Sequence, residues 1–339
     1  MANYEALTQG LARVSVKASA GPKVYDGFTK KFFAGEIGTD QDVIRLSYED
    51  YGVSIPEEAA RGEDPTRVNY KTPFNESYIQ GQYFFPEQEI KLSDAQRRLF
   101  EEPLDKPWSV EERELYLAAK VRDRMAKTFA YAKQKVVSDA VFTGKFTTKN
   151  GGEQSFPVTA SNLALSGATL STKPIEVLSK ACLPLIKKGH MINTLLLNPE
   201  DAITLAAGTG WKSVLDTRNI NTMLDTVGAD ADGFAYLGVI PSVGSGNLKV
   251  YAYYGTVDGS TYFIPKGKAL LLGEPIGVMG YCGVLANVGG VQGQVAANEV
   301  YTVYGKDRGA LVVTMIQGQT SPCPIITGID NYGVLTSIS

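Results

Sequence analysis

The stretch that decides the fold is TDQDVIRLSYEDYGVSIPEEAARGEDPTRVNYKTPFNESYIQGQYFF, residues Thr39–Phe85. It contains two arms, Val43–Ser54 and Asn69–Phe85, with the β-branched and aromatic residues typical of strands, and a charged tip, Pro56–Pro65, joins them. A two-stranded ribbon by itself is only marginally stable in water. The sequence therefore predicts a long projecting β-hairpin that is either disordered in the free monomer or held against a partner.

A single amphipathic helix follows the ribbon. Ser109 and Glu112 have the spacing of a capping box just after Pro107, and Gly144 ends the helical pattern. The predicted helix, residues 109–143, would be roughly 50 Å long at 1.5 Å per residue. Its apolar residues recur at helical spacing: Leu117, Ala118, Val121, Met125, Phe129, Ala132, Val136 and Ala140. We expect its basic residues to form a stripe on the opposite face: Lys120, Arg122, Arg124, Lys127, Lys133 and Lys135.

The rest of the chain indicates a mixed helical and stranded protein. Before the ribbon, the apolar patch Phe28, Phe32 and Phe33 predicts an arm with a helical turn or two that docks on a larger body. After the helix we expect a short hairpin around Asn150–Gly152 and a helix over 173–189 that is kinked or broken at Pro184. The further predicted elements are a strand at Leu195–Leu197, helices at Pro199–Ala207 and Trp211–Leu215, and strands at Ala235–Ile240, Leu248–Tyr254, Tyr262–Ile264, Ala269–Leu272, Glu299–Tyr304, Ala310–Gln317 and Pro324–Gly328.

Composition and charge restrict the classes of function. The formal net charge of −3 argues against a protein with a strongly basic nucleic-acid-binding surface. Residues 1–38 carry five basic and three acidic side chains, whereas 39–85 carry four basic and nine acidic ones, so the tail and the ribbon should attract each other. Cys182, Cys282 and Cys323 are far apart and predict free buried thiols in a reducing compartment. No apolar run reaches the ~18–20 residues of a membrane span.

The sequence does not contain a recognisable catalytic or metal-binding pattern. His190 is the one histidine and follows a glycine at a predicted helix end, so we expect a capping or solvent-facing role. One histidine and three scattered cysteines do not make a zinc site. The remaining fragments fit turns and loops better than a nucleotide, protease or acyl-enzyme site: Gly244–Asn247, Asp216–Thr217, Asp225–Thr226 and the pair Thr209 and Lys212. We predict no catalytic, cofactor-binding or metal-binding residues.

The order of these elements, together with several short motifs, resembles the major capsid protein of tailed bacteriophages, most closely the lambda-type coat proteins of the major capsid protein E family. The motifs run in the order of the family over residues 110–335, and none is diagnostic alone. They are Val141–Phe146 at the end of the helix, Val214–Arg218, Phe263–Pro265 with Leu271–Gly273, Tyr281–Gly283 with two positions exchanged, and Thr314–Gln317. Upstream, the ribbon matches the family in its position along the chain more than in its amino-acid sequence.

The resemblance implies an α+β fold of the Hong Kong 97 type. Its parts would be an N-arm (1–38), an extended loop (39–85), a peripheral domain (86–171) built on the spine helix 109–143, an axial domain (172–298), and closing strands of the peripheral domain (299–339). The implied function is a coat protein whose hexamers and pentamers form an icosahedral shell around double-stranded DNA in the virion, assembled in the host cytoplasm. The implied partners are other copies of the chain, a separate scaffolding protein, a portal protein, a decoration protein and packaged DNA, with no membrane.

Two alternatives stay open on the sequence. One is an encapsulin-like nanocompartment shell with the same fold, and the other is a soluble α/β enzyme or ligand-binding protein with an N-terminal extension. Two hypotheses on contacts between subunits also follow. Lys71 would be the donor of any covalent cross-link from the hairpin, which we do not expect. The acidic tip (Glu57, Glu58, Glu63, Asp64) either serves as solubilising charge or, with Arg61 and Arg67, pairs with a neighbouring subunit.

Overall fold

The structure of the protein is a computed structural model. It describes residues 24–49, 74–97, 99, 102, 107–149, 152–156, 158–214, 230–241, 243–244, 246–273, 275–288, 291–296, 298–308, 311–328 and 330–338. The predicted hairpin tip with Lys71, and the segments Asp216–Arg218 and Asp225–Thr226, lie outside these residues. The helices are α1 (Gly27–Phe32), α2 (Leu92–Gln96), α3 (Val110–Thr143), α4 (Pro174–Lys187), α5 (Pro199–Ala207) and α6 (Thr209–Val214), with a 3-10 turn at Ala160–Ala164.

The strands, in chain order, are β1 (Phe33–Gly38), β2 (Val43–Glu49), β3 (Phe74–Gln80), β4 (Glu87–Ile90), β5 (Lys145–Thr148), β6 (Gly152–Ser155), β7 (Leu165–Ser166), β8 (Thr194–Leu197), β9 (Phe234–Pro241), β10 (Asn247–Tyr253), β11 (Lys268–Leu272), β12 (Gly277–Tyr281), β13 (Val284–Val288), β14 (Val291–Val295), β15 (Val300–Arg308), β16 (Leu311–Gln319), β17 (Pro322–Ile326) and β18 (Tyr332–Thr336).

The two arms of the predicted ribbon pair as expected. Strands β2 and β3 are antiparallel, and Val43 lies opposite Gln80 at the root. The second arm leaves the hairpin at Gly81, earlier than predicted. Beyond that point the backbone of Phe84 exchanges hydrogen bonds with Thr320, because the chain here joins the closing strands instead of β2.

The N-arm docks on the body of the subunit, as the aromatic patch predicted. Helix α1 brings Phe28 into the core, where its ring centroid lies 4.5 Å from that of Phe263. Strand β1, which the sequence analysis missed, then pairs in parallel with β12. Its side chains are mostly exposed, so it has no alternating pattern to reveal it.

The spine helix α3 begins and ends where the sequence predicted. Ser109 accepts a hydrogen bond from the Glu112 backbone, the Glu112 side chain accepts one from the Ser109 backbone, and Gly144 closes the helix in the left-handed conformation at φ 70°. Before the first turn, Glu102 is 5% exposed and receives the Arg113 guanidinium at 2.7 and 3.0 Å. These hydrogen bonds, followed by that from the Trp108 backbone, lower the pKa of Glu102 to about 2 in spite of its burial.

A six-stranded mixed sheet forms the centre of the predicted axial segment, in the order β7-β18-β11-β8-β10-β9. Strand β8 reads Thr-Leu-Leu-Leu and is buried throughout, as a central strand covered on both faces should be. Helix α4 continues past Pro184 to Lys187, so the expectation of a break there was wrong. A proline at 184 removes the hydrogen bond to the carbonyl of residue 180 in the preceding turn, but the N–H groups of residues 185–187 can still continue the helix.

The closing strands are divided between three sheets. Strand β16 pairs with both β15 and β4, β17 pairs with β12, and β18 joins the six-stranded sheet. Three apolar clusters fill the spaces between these layers. The largest contains the N-arm, the C-terminal half of the spine and β12, the second lies between the six-stranded sheet and α4, and the third packs the N-terminal half of the spine on β4 and β16.

One predicted strand, Tyr262–Ile264, was wrong. The segment makes a single bridge between Tyr262 and Thr256 and is otherwise a loop. Its apolar letters reflect burial, because Phe263 and Ile264 are fully buried. The aromatic and β-branched residues here therefore belong to a buried loop that fills the core, and they do not form a strand.

Candidate assembly surfaces

The root of the hairpin is firmly attached to the subunit. The Thr39 N–H donates to the Tyr281 carbonyl at 2.9 Å, and the Gly81 N–H donates to the Cys282 thiol sulfur at 3.2 Å. Glycine is required at position 81, because a Cβ there would lie 2.5 Å from Ser321 Oγ. The base of the hairpin is therefore fixed to the subunit by backbone hydrogen bonds and close packing.

An exposed aromatic row runs along the second arm and the residues after it. Tyr78 is 60% exposed, Tyr83 46% and Phe85 48%, and the Tyr83 and Phe85 ring centroids are 6.0 Å apart. Ile79, next to Tyr78 on β3, is 1% exposed, so one side of this strand faces the core and the other presents Tyr78 to solvent. Rows of this kind are typical of surfaces that another protein covers.

A polar cluster joins four distant parts of the chain. Lys133 of the spine donates to the Tyr281 hydroxyl at 2.6 Å and to Glu36 of β1 at 3.4 Å. Asn298 donates to the other oxygen of Glu36. Burial opposes ionisation of Glu36, but the Asn298 hydrogen bond and the Lys133 charge outweigh it and lower its pKa. Burial, and then the Glu36 charge, raises the pKa of Tyr281. Sequence patterns gave no sign of this cluster.

The basic residues of the spine do not form one stripe. At 3.6 residues per turn, four of them fall within about 80° of the helix circumference, opposite the buried face: Lys120, Arg124, Lys127 and Lys135. Lys133 and Arg122 lie on the other side, beside the apolar residues. Lys133 belongs to the cluster with Glu36, and Arg122 contacts Asp123 at 3.3 Å. The predicted stripe is thus corrected to a basic face of four residues.

The predicted axial segment also exposes large apolar side chains. Ile175 and Leu183 of α4 are 44% and 50% exposed, Met191 after the helix is 56% exposed, and Ile203 of α5 is 64% exposed. The opposite sides of both helices are buried against the six-stranded sheet. These side chains therefore expose further apolar area in the predicted axial segment, outside the hairpin.

The fragments considered for catalysis are scattered in the structure. His190 is half-buried beyond the end of α4, where its backbone N–H donates to the Leu185 carbonyl at 3.3 Å. Thr209 and Lys212 are both exposed on α6. Across the described ranges, no three His, Cys, Asp or Glu side chains are placed to hold a metal ion. None of the described helices is both long and apolar enough to cross a membrane.

All three cysteines are free and buried, as the sequence predicted. Cys182 lies in the axial segment, and burial raises the pKa of its thiol to about 12. Cys282 and Cys323 lie together at the hairpin root, Cys323 on β17 and Cys282 directly after the end of β12, the strand that pairs with β17.

Comparisons with known structures agree with this architecture. A prophage capsid protein of E. coli CFT073 is 17% identical, covers 99% of both chains and superimposes with a TM-score of 0.67. Two phage structures are similar over nearly the whole chain, those of Gordonia phage Cozz (11% identity, 97% of this chain and 93% of that chain, TM-score 0.51) and Mycobacterium phage Ogopogo (14% identity, 98% of both chains, TM-score 0.50). The α+β fold is therefore of the phage capsid, Hong Kong 97 type.

Sequence comparison points to one family. No curated protein sequence is significantly similar to this chain. The model of the family described as phage major capsid protein E matches residues 10–326, which is most of the length. With the fold and the exposed apolar surfaces, this match establishes a shell-forming protein, and the chain belongs to the phage major capsid protein E family.

Proposed function

We propose that the chain assembles as hexamers and pentamers into an icosahedral shell enclosing double-stranded DNA in the virion of a tailed phage or prophage. The observation that carries the proposal is the exposed aromatic row Tyr78, Tyr83 and Phe85, on the hairpin and on the residues that follow its base. Burying such rings between copies releases free energy of about 25 cal/mol per Å² of apolar surface. Closed symmetry repeats that gain at every contact.

The same proposal assigns roles to the parts of the chain. Residues 1–38 act as the N-arm, 39–85 as the extended loop, 86–171 and 299–339 as the peripheral domain, and 172–298 as the axial domain. The exposed apolar side chains of α4 and α5 support contacts between copies through the axial domain. Strand β18 pairs with β11, so it supports placing residues 332–336 with the axial sheet.

Substitution of the aromatic row tests the proposal. The double variant Y78S/F85S should fold, because both rings are about half or more exposed in the subunit. It should fail to form shells, because the apolar contact between copies is lost. The matched control Y78F/F85Y keeps the rings and should assemble. Electron microscopy and sedimentation of the purified proteins give the readout. Normal shells from Y78S/F85S would contradict the proposal.

Packaged DNA is the cargo we propose, and the basic face of the spine is the candidate contact. Lysine and arginine neutralise phosphates without reading sequence, so the contact would weaken with salt. The competing nanocompartment would enclose a protein and no nucleic acid. Nucleic-acid content of shells purified with their natural cargo distinguishes the two.

The other proposed partners are a separate scaffolding protein, a portal protein and a decoration protein, with assembly in the host cytoplasm. We propose no catalytic role for the chain. Co-expression with its genomic neighbours, followed by electron microscopy, tests whether regular shells require such a scaffold.

A further inference from the structure

Two of the buried thiols are neighbours on the sheet that holds the hairpin root. Cys323 of β17 lies opposite Gly280 of β12, and the Cys282 N–H donates to the Ser321 carbonyl at 3.0 Å, which continues the ladder by one pair. Because alternate residues of a strand share a face, Cys282 and Cys323 lie on the same side of the sheet. Cys282 is 1% exposed and Cys323 is fully buried.

A cavity of about 250 Å³ opens beside this pair, between the hairpin root and strands β13 and β14. Cys282 supplies its thiol, whereas Cys323 lies behind it and does not line the cavity. The lining residues are Asp42, Gln80, Gly81, Tyr83, Cys282, Gly283, Leu285, Gln294 and Ser321. A thiol at the wall of such a cavity can meet a small molecule although little of its surface is reached from bulk solvent.

The surroundings of Cys282 favour its thiolate. The Cys323 thiol, which lies against it, lowers the pKa of Cys282, and the Gly81 N–H adds to this at 3.2 Å, while burial and the Asp42 charge oppose it. The pKa values of the other two thiols are raised. Burial raises the pKa of Cys182 to about 12, and the Cys282 contact together with burial raises that of Cys323. Since the thiolate is the nucleophile, the three cysteines should differ greatly in reactivity.

We propose that Cys282 is a modification site that takes small disulfides through the cavity at the hairpin root. The Cys282 sulfur attacks one sulfur of the disulfide, a new S–S bond forms as the old one breaks, and the departing thiolate takes up the Cys282 proton. Cys282 is thereby bonded to one R–S half of the small disulfide as a mixed disulfide, and the other half is released as a free thiol. Cys323 acts as a positioning residue that donates to the attacking sulfur.

The adduct must grow into the cavity and not toward the hairpin strand. A Cβ at position 81 would lie 3.1 Å from the Cys282 sulfur and 2.5 Å from Ser321 Oγ, so that side is filled. The added group would therefore lie between the hairpin root and Leu285 and Gln294. The site is a property of the single subunit and does not depend on shell assembly.

The test uses unassembled subunits and 4,4′-dithiodipyridine, a small neutral disulfide whose leaving thiol absorbs light. We expect one fast equivalent per folded chain, mapped to Cys282 by peptide mass spectrometry and reacting more than about a hundredfold faster than Cys182, because Cys282 lines the cavity, Cys182 does not, and their thiol pKa values are shifted in opposite directions. C282S should lose the fast phase, and the matched variant C182S should keep it. In C323A the midpoint of the pH–rate profile should move to higher pH.

Two results would overturn the proposal. One is the absence of a fast phase in folded wild-type protein, and the other is a fast phase that maps to Cys182 or Cys323. Mapping the modified residue in the wild type shows whether Cys282 is the fast-reacting thiol, even if C282S does not fold. An unmoved pH–rate profile in C323A would remove the positioning role of Cys323. Shell formation is not the readout, so a failure here leaves the proposed function untouched.

Discussion

Lys133 donates a hydrogen bond of 2.6 Å to the hydroxyl of Tyr281, and its ammonium also lies 5.3 Å from the centre of the Tyr281 ring. The contact joins the spine helix to β12, the strand that carries the hairpin root. Through Glu36 it also includes β1 of the N-arm. One lysine thus links three parts of the chain that the sequence separates widely.

Replacing Lys133 should destabilise the subunit. Lys133→Met keeps the apolar stem but removes the donors to Tyr281 and Glu36, and we expect a loss of about 1–3 kcal/mol in the free energy of unfolding. The control Lys135→Met, on the exposed face, should change it by less than about 0.5 kcal/mol. Urea unfolding of unassembled subunits measures both. Equal values for the two variants would show that the cluster is not structural.

Stability should fall in acid through Glu102. Its pKa lies at about 2 in the folded chain against an ordinary 4.5, because of the Arg113 hydrogen bonds, so the folded state favours the charged form. Its contribution is complete above about pH 4.5 and is lost as the pH falls toward 2. Wild type should therefore exceed Glu102→Gln in stability at pH 7, and the difference should shrink below pH 4.5. Glu111→Gln, at an exposed glutamate nearby, serves as the control. A stability difference between wild type and Glu102→Gln that does not change with pH would refute the account.

The hairpin root should not tolerate a side chain at position 81. In Gly81→Ala the new Cβ would meet Ser321 Oγ at 2.5 Å and its carbonyl at 2.7 Å. We expect a cost of about 1–3 kcal/mol from overpacking, together with poor assembly. At Gly293 a Cβ would have nothing within 4 Å, so Gly293→Ala is the matched control. Thermal melting and electron microscopy provide the readouts, and a neutral Gly81→Ala would mean that the root is looser than described.

The basic face of the spine should affect DNA retention more than assembly. Arg124, Lys127 and Lys135 all lie on that face, so replacing the three with Gln should leave shells intact while DNA is released at lower salt. The control removes three exposed lysines of the axial segment, Lys180, Lys187 and Lys212. Release of DNA across a salt series measures the effect. Equal release from both triple variants would argue against the spine as the DNA contact.

Much of the fold could be predicted because its signals are local. The capping box at Ser109, the terminal Gly144 and the proline at the start of α5 fix helix ends through backbone chemistry within a few residues. The buried strand Thr194–Leu197 has an uninterrupted apolar sequence, which needs no knowledge of its partners. These signals do not depend on tertiary context.

The rest depends on contacts between distant segments. Strand β1 exists because β12 offers an edge, and Glu36 and Lys133 are 97 residues apart. Helical spacing separates Lys133 from Lys135, but it does not identify Glu36 and Tyr281 as the partners of Lys133. The aromatic row was visible as a composition bias, but which of its rings are exposed depends on the closing strands that pair with Phe84.

The most direct measurement is a cryo-electron microscopy map of the assembled shell at side-chain resolution. The account predicts that a neighbouring copy contacts Tyr78 and Phe85, so that rings which are 60% and 48% exposed in the subunit become buried. A shell in which both rings face solvent, with its contacts made elsewhere, would contradict the central claim.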